Sequence, residues 1–548
     1  MLKLKKPVSS TIRTLNAIVA LAVSSLQSYS LLPPTKSAQQ WDVFETSFTS
    51  LRKYANPFLD VQVDVLFRSG DQQWLVPAFW AGANKWTVRF APPIIGEYTY
   101  KVKCSDAANN ELSGKVQRLI VSKYKGANPL LRHGFIRISA DKRHFEHADG
   151  KPFLWLGDTW WKCLCKRMTW EGFQELAANR KSKGFNVVQI VCGPYPDEKT
   201  MEERWGNEGG LPYESIKFDK VNPKYFDFAD RRIKLLVDSG IVPVIVGGWG
   251  RPQGGGTSTL EQVGIDGFKR HWRNLIARYG AYPTVWIVGG EAKDEYGPWS
   301  ELAKYLKMTD PYHHPLTYHA PDHPRLAIKD NAIFDFDMVG IGHQGYETAT
   351  RTLQLMKSCL AITPTRPALC GEACYEGHMQ TNFQDLQRHL FWSLMLSGAA
   401  GHTYGAAGIW QASVEGNAGI DPVYDWTTWK ESMNYLGSTQ IGIGKKLLEE
   451  YPWSRFEVHP EWAEADCFAA GIPGKVRFIY QPKRGIYNWG GTVVKNLEPN
   501  VSYSAYYFDP ATGRRFLQGT ISAPSGEYRS PGLPSPQDWV LVLENAGK

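Results

Sequence analysis

Thr284-Val-Trp-Ile-Val-Gly-Gly-Glu291 and Pro367-Ala-Leu-Cys-Gly-Glu372 are built alike. Each is a short apolar run without alternation, closed by glycine and then glutamate. Such a run reads as a strand buried on both faces, as in a parallel sheet. Together with residues 284–288 and 367–370, six further runs make eight candidate strands: 153–157, 186–191, 242–247, 316–319, 337–341 and 399–403. The segments between them are amphipathic. Trp170, Phe173, Leu176 and Ala177 recur at helical steps, as do Tyr225, Ala229, Ile233 and Leu236. Eight strand–helix units over roughly 300 residues predict an α/β fold, a (β/α)8 TIM barrel. A doubly wound open sheet is the rival, but no G-x-G-x-x-G follows the first strand.

Outside the barrel the pattern changes. Val61-Gln-Val-Asp-Val-Leu-Phe67, Lys85-Trp-Thr-Val-Arg-Phe90 and Glu97-Tyr-Thr-Tyr-Lys-Val-Lys103 alternate at period two between turns. Beyond the barrel, Lys475-Val-Arg-Phe-Ile-Tyr480, Ser502-Tyr-Ser-Ala-Tyr-Tyr-Phe508 and Trp539-Val-Leu-Val-Leu-Glu544 do the same. Both blocks predict β-sandwiches. At 548 residues the chain is too long for one ordinary domain. The expected division is a tail over 1–38, a sandwich over 39–123, the barrel over 124–440 and a second sandwich over 441–548.

Lys3, Lys5, Lys6 and Arg13 precede Leu15-Asn-Ala-Ile-Val-Ala-Leu-Ala-Val23, a basic then apolar order that reads as an export signal. The apolar part is too short to span a bilayer, which takes about 20 residues. A secreted or periplasmic protein is therefore expected, with no integral membrane segment. The net charge of +8 is mild, and like charges form no run beyond the extreme N-terminus, so nucleic acid is not an expected partner. Eight cysteines are too few for a disulfide scaffold, and most are expected as buried thiols. With 21 Trp, 26 Tyr and 24 Phe the chain has rings to spare for a ligand that can be stacked upon.

In a barrel, reactive residues belong at the C-terminal ends of the strands. Glu291 and Glu372 stand 81 residues apart, close to three β/α units of about 30 residues, so they are expected to face one another across the mouth. Such a pair suits glycosidic bond cleavage. One carboxyl protonates the leaving oxygen, while the other attacks the anomeric carbon or activates water. Asp294 is the substitute for Glu291. Other strand ends carry groups that hold sugars: Asp158, Trp160 and Trp161 after the first strand, Trp249 after the third, Tyr318 and His319 at the fifth, His343 and Gln344 after the sixth, and His402, Tyr404 and Trp410 at and beyond the eighth. Glu376 is expected to bind substrate or to support Glu372.

H-E-x-x-H, G-x-S-x-G and Walker-type loops are absent. His313-His314 reads as a turn before the fifth strand, and Gly254-Gly-Gly256 as a loop at the rim. No metal site and no cofactor are expected. A polysaccharide or oligosaccharide is the expected substrate. The alternative is a catalytically silent carbohydrate- or matrix-binding protein, in which the two carboxylates would not share one open pocket.

Lys151-Pro-Phe-Leu-Trp-Leu-Gly-Asp-Thr-Trp160, Trp286-Ile-Val-Gly-Gly-Glu291, Arg366-Pro-Ala-Leu-Cys-Gly-Glu-Ala-Cys-Tyr-Glu-Gly377 and Ser397-Gly-Ala-Ala-Gly-His-Thr-Tyr-Gly405 resemble the apiosidase-like (β/α)8 glycoside hydrolases. Ala55-Asn-Pro-Phe58 and Trp86-Thr-Val-Arg-Phe-Ala-Pro92 are similar to the immunoglobulin-like domain that often precedes such barrels. Tyr507-Phe-Asp-Pro510 and Asp538-Trp-Val-Leu541 resemble the β-domain that commonly follows them under a collagen-binding label. The resemblance implies a hydrolase of plant or algal polysaccharide side chains, with acidic residues after strands four and seven at Glu291 and Glu372. It also implies Asp at the strand-four position, where this chain carries the longer Glu291.

Overall fold

The computed structural model describes residues 35–547 except 115, 197, 251–257, 321, 341, 417–425 and 486–489. Residues 1–34 of the expected export segment, Gly254-Gly-Gly256 and the last residue of the sixth expected strand lie outside the described residues. At the centre are eight parallel strands: β1 Trp155–Thr159, β2 Val187–Val191, β3 Val242–Val246, β4 Val285–Gly290, β5 Leu316–His319, β6 Asp337–Val339, β7 Ala368–Cys370 and β8 Gly401–Tyr404. Their order is β5-β4-β3-β2-β1-β8-β7-β6. The ring closes where Asp335 N donates to Leu316 O at 2.9 Å and Thr317 Oγ1 donates to Phe336 O at 2.8 Å. This is the expected TIM barrel.

Every residue of β1 to β8 is buried, which is why their sequences show no alternation. Gln189, the one polar residue of β2, reaches across the lumen to donate to Gly371 O at 2.9 Å. The first strand starts two residues later than expected. Phe153 pairs instead with Phe145 in a small antiparallel sheet of Ile136–Ile138, Phe145–His147 and Pro152–Phe153. Phe145 packs on Trp155 and Phe336 at 5.2 and 5.1 Å, so this sheet floors the barrel at its N-terminal end.

The N-terminal block is a sandwich of a five-stranded and a three-stranded sheet around Val65, Phe67, Val88, Phe90 and Tyr100. Arg89 anchors it to the barrel, donating to Asp230 Oδ2 at 2.8 Å and to Arg278 O at 2.9 Å. The C-terminal block is a six-stranded antiparallel sheet with a two-stranded ribbon of Val493–Val494 and Tyr528–Arg529. One face of the large sheet carries Phe478, Tyr480 and Val542 into the barrel's core, and the other buries Ile479, Tyr507 and Leu541 in a separate core. The buried Arg388–Asp538 pair, 2.6 Å apart, bolts it to helix Gln384–Met395. The expected junction at 440 falls inside helix Leu436–Glu449, an outer barrel helix that packs on Gln384–Met395.

Candidate active site

Both glutamates follow a glycine for a steric reason. A Cβ on Gly290 would lie 2.0 Å from the Trp249 ring, and one on Gly371 would lie 2.5 Å from Met338 Cε. Glycine therefore lets Trp249 lie flat on the end of β4, where Gly250 N donates to Gly290 O at 2.7 Å and Gly290 N to Gly248 O at 3.0 Å. The register shifts between Ile287 and Gly290, bringing Gly290 level with His319. Glu291 then sits in the left-handed region at φ 46°, a conformation that costs a non-glycine residue of order 1–3 kcal/mol and gathers at functional sites.

Glu372 is buried between two imidazoles. His319 Nε2 is 2.9 Å from Oε2, and His343 Nε2 is 3.4 Å from Oε1. Tyr375 N donates to His343 Nδ1 at 3.1 Å, so the proton of a neutral His343 resides on Nε2, facing the carboxylate. Burial pushes the Glu372 carboxyl upward, but the two histidines outweigh it and hold the group well below the usual carboxylate range. Trp161 Nε1 donates to the Tyr375 hydroxyl at 2.8 Å, and that hydroxyl also faces Glu372 and Thr159. Burial and the Glu372 charge drive the Tyr375 pKa far above that of an ordinary phenol, so it remains a donor.

Aromatic rings complete the site. Trp161 stands edge-on to Trp249 and His319 at 5.3 and 5.5 Å, and Trp249 lies 5.2 Å from His319. His378 lies tilted against His343 at 4.3 Å between ring centroids, with its pKa lowered to about 4 by burial and by His343. Trp410 lies 6.3 Å from Tyr375 and covers the buried Lys162–Glu198 pair, whose charged atoms are 3.2 Å apart. Tyr375, His378, Lys162 and Glu198 were not among the expected site residues. Tyr375 was within reach of sequence reasoning, three residues beyond Glu372; Lys162 and Glu198 carried no signal.

Five expected sugar-binding residues lie elsewhere, which corrects the reading of the strand ends. Asp158, Trp160, Glu376, His402 and Tyr404 occupy the layer between strands and outer helices, not the mouth. Side chains alternate along a strand, so Asp158 and its register partner Tyr404 point outward together. Asp158 accepts from Arg180 Nε at 2.6 Å, Trp160 Nε1 at 2.7 Å and Thr159 N at 2.9 Å. Tyr404 donates to Glu376 Oε2 at 2.6 Å, and Gly437 N donates to Oε1 at 2.9 Å. His402 packs edge-on against Phe391 at 5.9 Å. Asp294, the substitute for Glu291, accepts from Ser300 N, Ser300 Oγ and Lys329 N, and so serves a local turn. Gln344 stands at the mouth, its Oε1 accepting from Thr348 Oγ1 at 2.9 Å.

Among the described residues no group of three or more His, Cys, Asp or Glu could hold a metal ion, and no helix is long and apolar enough to cross a membrane. All eight cysteines are free thiols, seven of them buried, as expected for most of them.

Comparison with known proteins agrees with this architecture. Residues 37–105 match a domain of unknown function (DUF5060). A candidate glycoside hydrolase from Bacteroides vulgatus ATCC 8482 superposes with a TM-score of 0.70 at 20% identity, covering 93% of this chain and 100% of its own. A family 5 glycoside hydrolase from the same organism gives 0.66 at 20% identity, over 77% and 96%. At that identity the likeness speaks for the fold. No curated protein matches the sequence. Residues 139–455, more than half of the chain, match the model of the apiosidase-like catalytic domain. The chain therefore belongs to the apiosidase-like family and is a glycoside hydrolase.

Proposed function

We propose that the protein cleaves O-glycosidic bonds in a complex polysaccharide with retention of configuration, Glu372 acting as nucleophile and Glu291 as general acid and then base. The observation that carries this reading is the pair of imidazoles at 2.9 and 3.4 Å from the Glu372 carboxylate. A general base works best with a pKa near the working pH, and a carboxylate held far below its usual range takes a proton poorly. It remains competent to bond to, or electrostatically stabilise, an oxocarbenium-like centre, as a retaining enzyme requires. The Tyr375 hydroxyl faces the same carboxylate and limits its rotation.

In the first step Glu291 gives its proton to the leaving oxygen as Glu372 bonds to the anomeric carbon. In the second, Glu291 takes a proton from water, whose oxygen displaces Glu372. Trp161 and Trp249 offer apolar surface to the sugar. The basic-then-apolar segment before residue 24 supports export to where polysaccharide is met.

The test is anomeric proton NMR on the first product released from a polysaccharide panel. Product of unchanged configuration, with turnover lowered about a hundred- to ten-thousand-fold in Glu291→Gln and more in Glu372→Gln, supports the reading. Inverted product, or wild-type turnover in both variants, ends it.

A further inference from the structure

The candidate catalytic residues do not account for a groove that begins at His343. Its walls are residues 343–346, at the start of helix Tyr346–Ala361, with Met379 and residues 381–386. It encloses about 640 Å³, within the range of about 300–1,000 Å³ usual for ligand sites. Tyr346, Met379 and Phe383 are 57%, 50% and 42% exposed there, a local concentration of bare apolar surface at the edge of a cleft.

The walls are held rigidly. Asn382 Nδ2 donates to His343 O at 2.8 Å, Gln387 Nε2 to Asn382 O at 2.9 Å, and the Cys374 thiol to Gly345 O at 3.3 Å. Met379, Gln380 and Asn382 all sit at positive φ, at 52°, 59° and 63°. Three non-glycine residues strained within four positions mark a preorganised ligand clamp more than a passive loop. The lining has no lysine or arginine. Its one carboxylate, Asp385, pairs with Arg388 at 2.8 Å, and His343 at the inner end stands 3.4 Å from the Glu372 carboxylate. A uronate or sulfate would meet no lysine or arginine on this lining to offset the loss of its hydration.

We propose that this groove is a subsite for a neutral glycan chain extending beyond the bond that is cleaved, its rings stacking on Tyr346 and Phe383. The proposal rests on the catalytic reading above for its location but not for its test. His343 belongs to both the groove and the Glu372 contact, so a chain seated on Tyr346 leads directly into the candidate catalytic centre.

The test is affinity electrophoresis of the full-length Glu291→Gln protein in gels containing arabinan, arabinoxylan, galactomannan or polygalacturonate. At least one neutral polymer is expected to retard the protein, and polygalacturonate is not. Adding Tyr346→Ala or Phe383→Ala should weaken binding about three- to tenfold. Leu517→Ala, removing a still more exposed side chain in the C-terminal block, should leave it unchanged. The proposal is overturned if no neutral polymer retards the protein, if polygalacturonate binds as well, if both groove variants bind normally, or if Leu517→Ala weakens binding equally. Retained binding with no hydrolysis by the unmutated enzyme would remove the catalytic reading and leave the groove standing.

Discussion

His319 Nε2 stands 2.9 Å from Glu372 Oε2, although the two are 53 positions apart and the whole of β6 lies between them in the chain. Strands β6 and β7 pair directly, and β5 joins them only because the barrel closes between β5 and β6. Each then contributes from its C-terminal end: His319 ends β5, His343 follows β6 and Glu372 follows β7. Barrel closure thus brings the second imidazole to the carboxylate; an open sheet would leave it with His343 alone.

His319→Asn should move the acid limb of the kcat/KM profile. In the proposed mechanism Glu372 must be ionised to act as nucleophile, and its contacts hold its carboxyl below the usual value of 4.5. Without the His319 contact, burial acts with less opposition and the carboxyl pKa rises. The acid limb should shift upward by about one pH unit or more on substrate hydrolysis. A lower rate with an unmoved limb would mean that His319 only packs against its neighbours.

Gly290→Ala addresses the contact between β4 and Trp249. A methyl group 2.0 Å from the indole cannot be accommodated without moving Trp249 or the strand end that presents Glu291. Overpacking of this kind costs about 1–3 kcal/mol, so a lower melting temperature is expected. If Glu291 is the acid/base proposed above and Trp249 stacks on the sugar, the larger effect should be on kcat, at least about tenfold. Unchanged kcat would show that Trp249 yields freely.

The barrel was legible because parallel strands buried on both faces leave unbroken apolar runs, as in Val242–Val246. Glu291 and Glu372 stand out in the sequence because each follows such a run after a glycine. What was misread is direction. At a strand end, one position decides whether a side chain enters the mouth or the helix layer. Asp158 and Tyr404 fell on the wrong side of that alternation, whereas Trp161 and Trp249 lie beyond their strands, where the backbone turns. The six-stranded C-terminal sheet reads as half of a sandwich because its second partner is the barrel itself, which local patterning does not reveal.

Asp158→Asn separates a binding role from a structural one. Its carboxylate faces the fully buried Arg180, and removing one member of a buried ion pair typically costs about 3–5 kcal/mol. Denaturant unfolding should show a loss of that order, while the folded fraction keeps its KM. A raised KM with unaltered stability would return Asp158 to the sugar site.

Acid should unfold this protein in part through histidines that the fold buries in their neutral form. Burial lowers His271, His378 and His402 to about 4 from an ordinary 6.5. Between those values the unfolded chain binds these protons and the folded chain does not. Their contribution is therefore complete above 6.5, is lost as pH falls toward about 4, and changes little below that. His402 isolates the effect, since it lies against Phe391 outside the site and both ring nitrogens are buried without a hydrogen-bond partner. His402→Leu replaces it with a side chain that needs neither partner nor proton. Thermal melts at about pH 7.5 and about pH 5 should show a smaller drop for the variant than for the parent, with the variant at least as stable at the higher pH. Parallel curves would mean that His402 accepts its proton within the fold, and that water or a local opening reaches this layer.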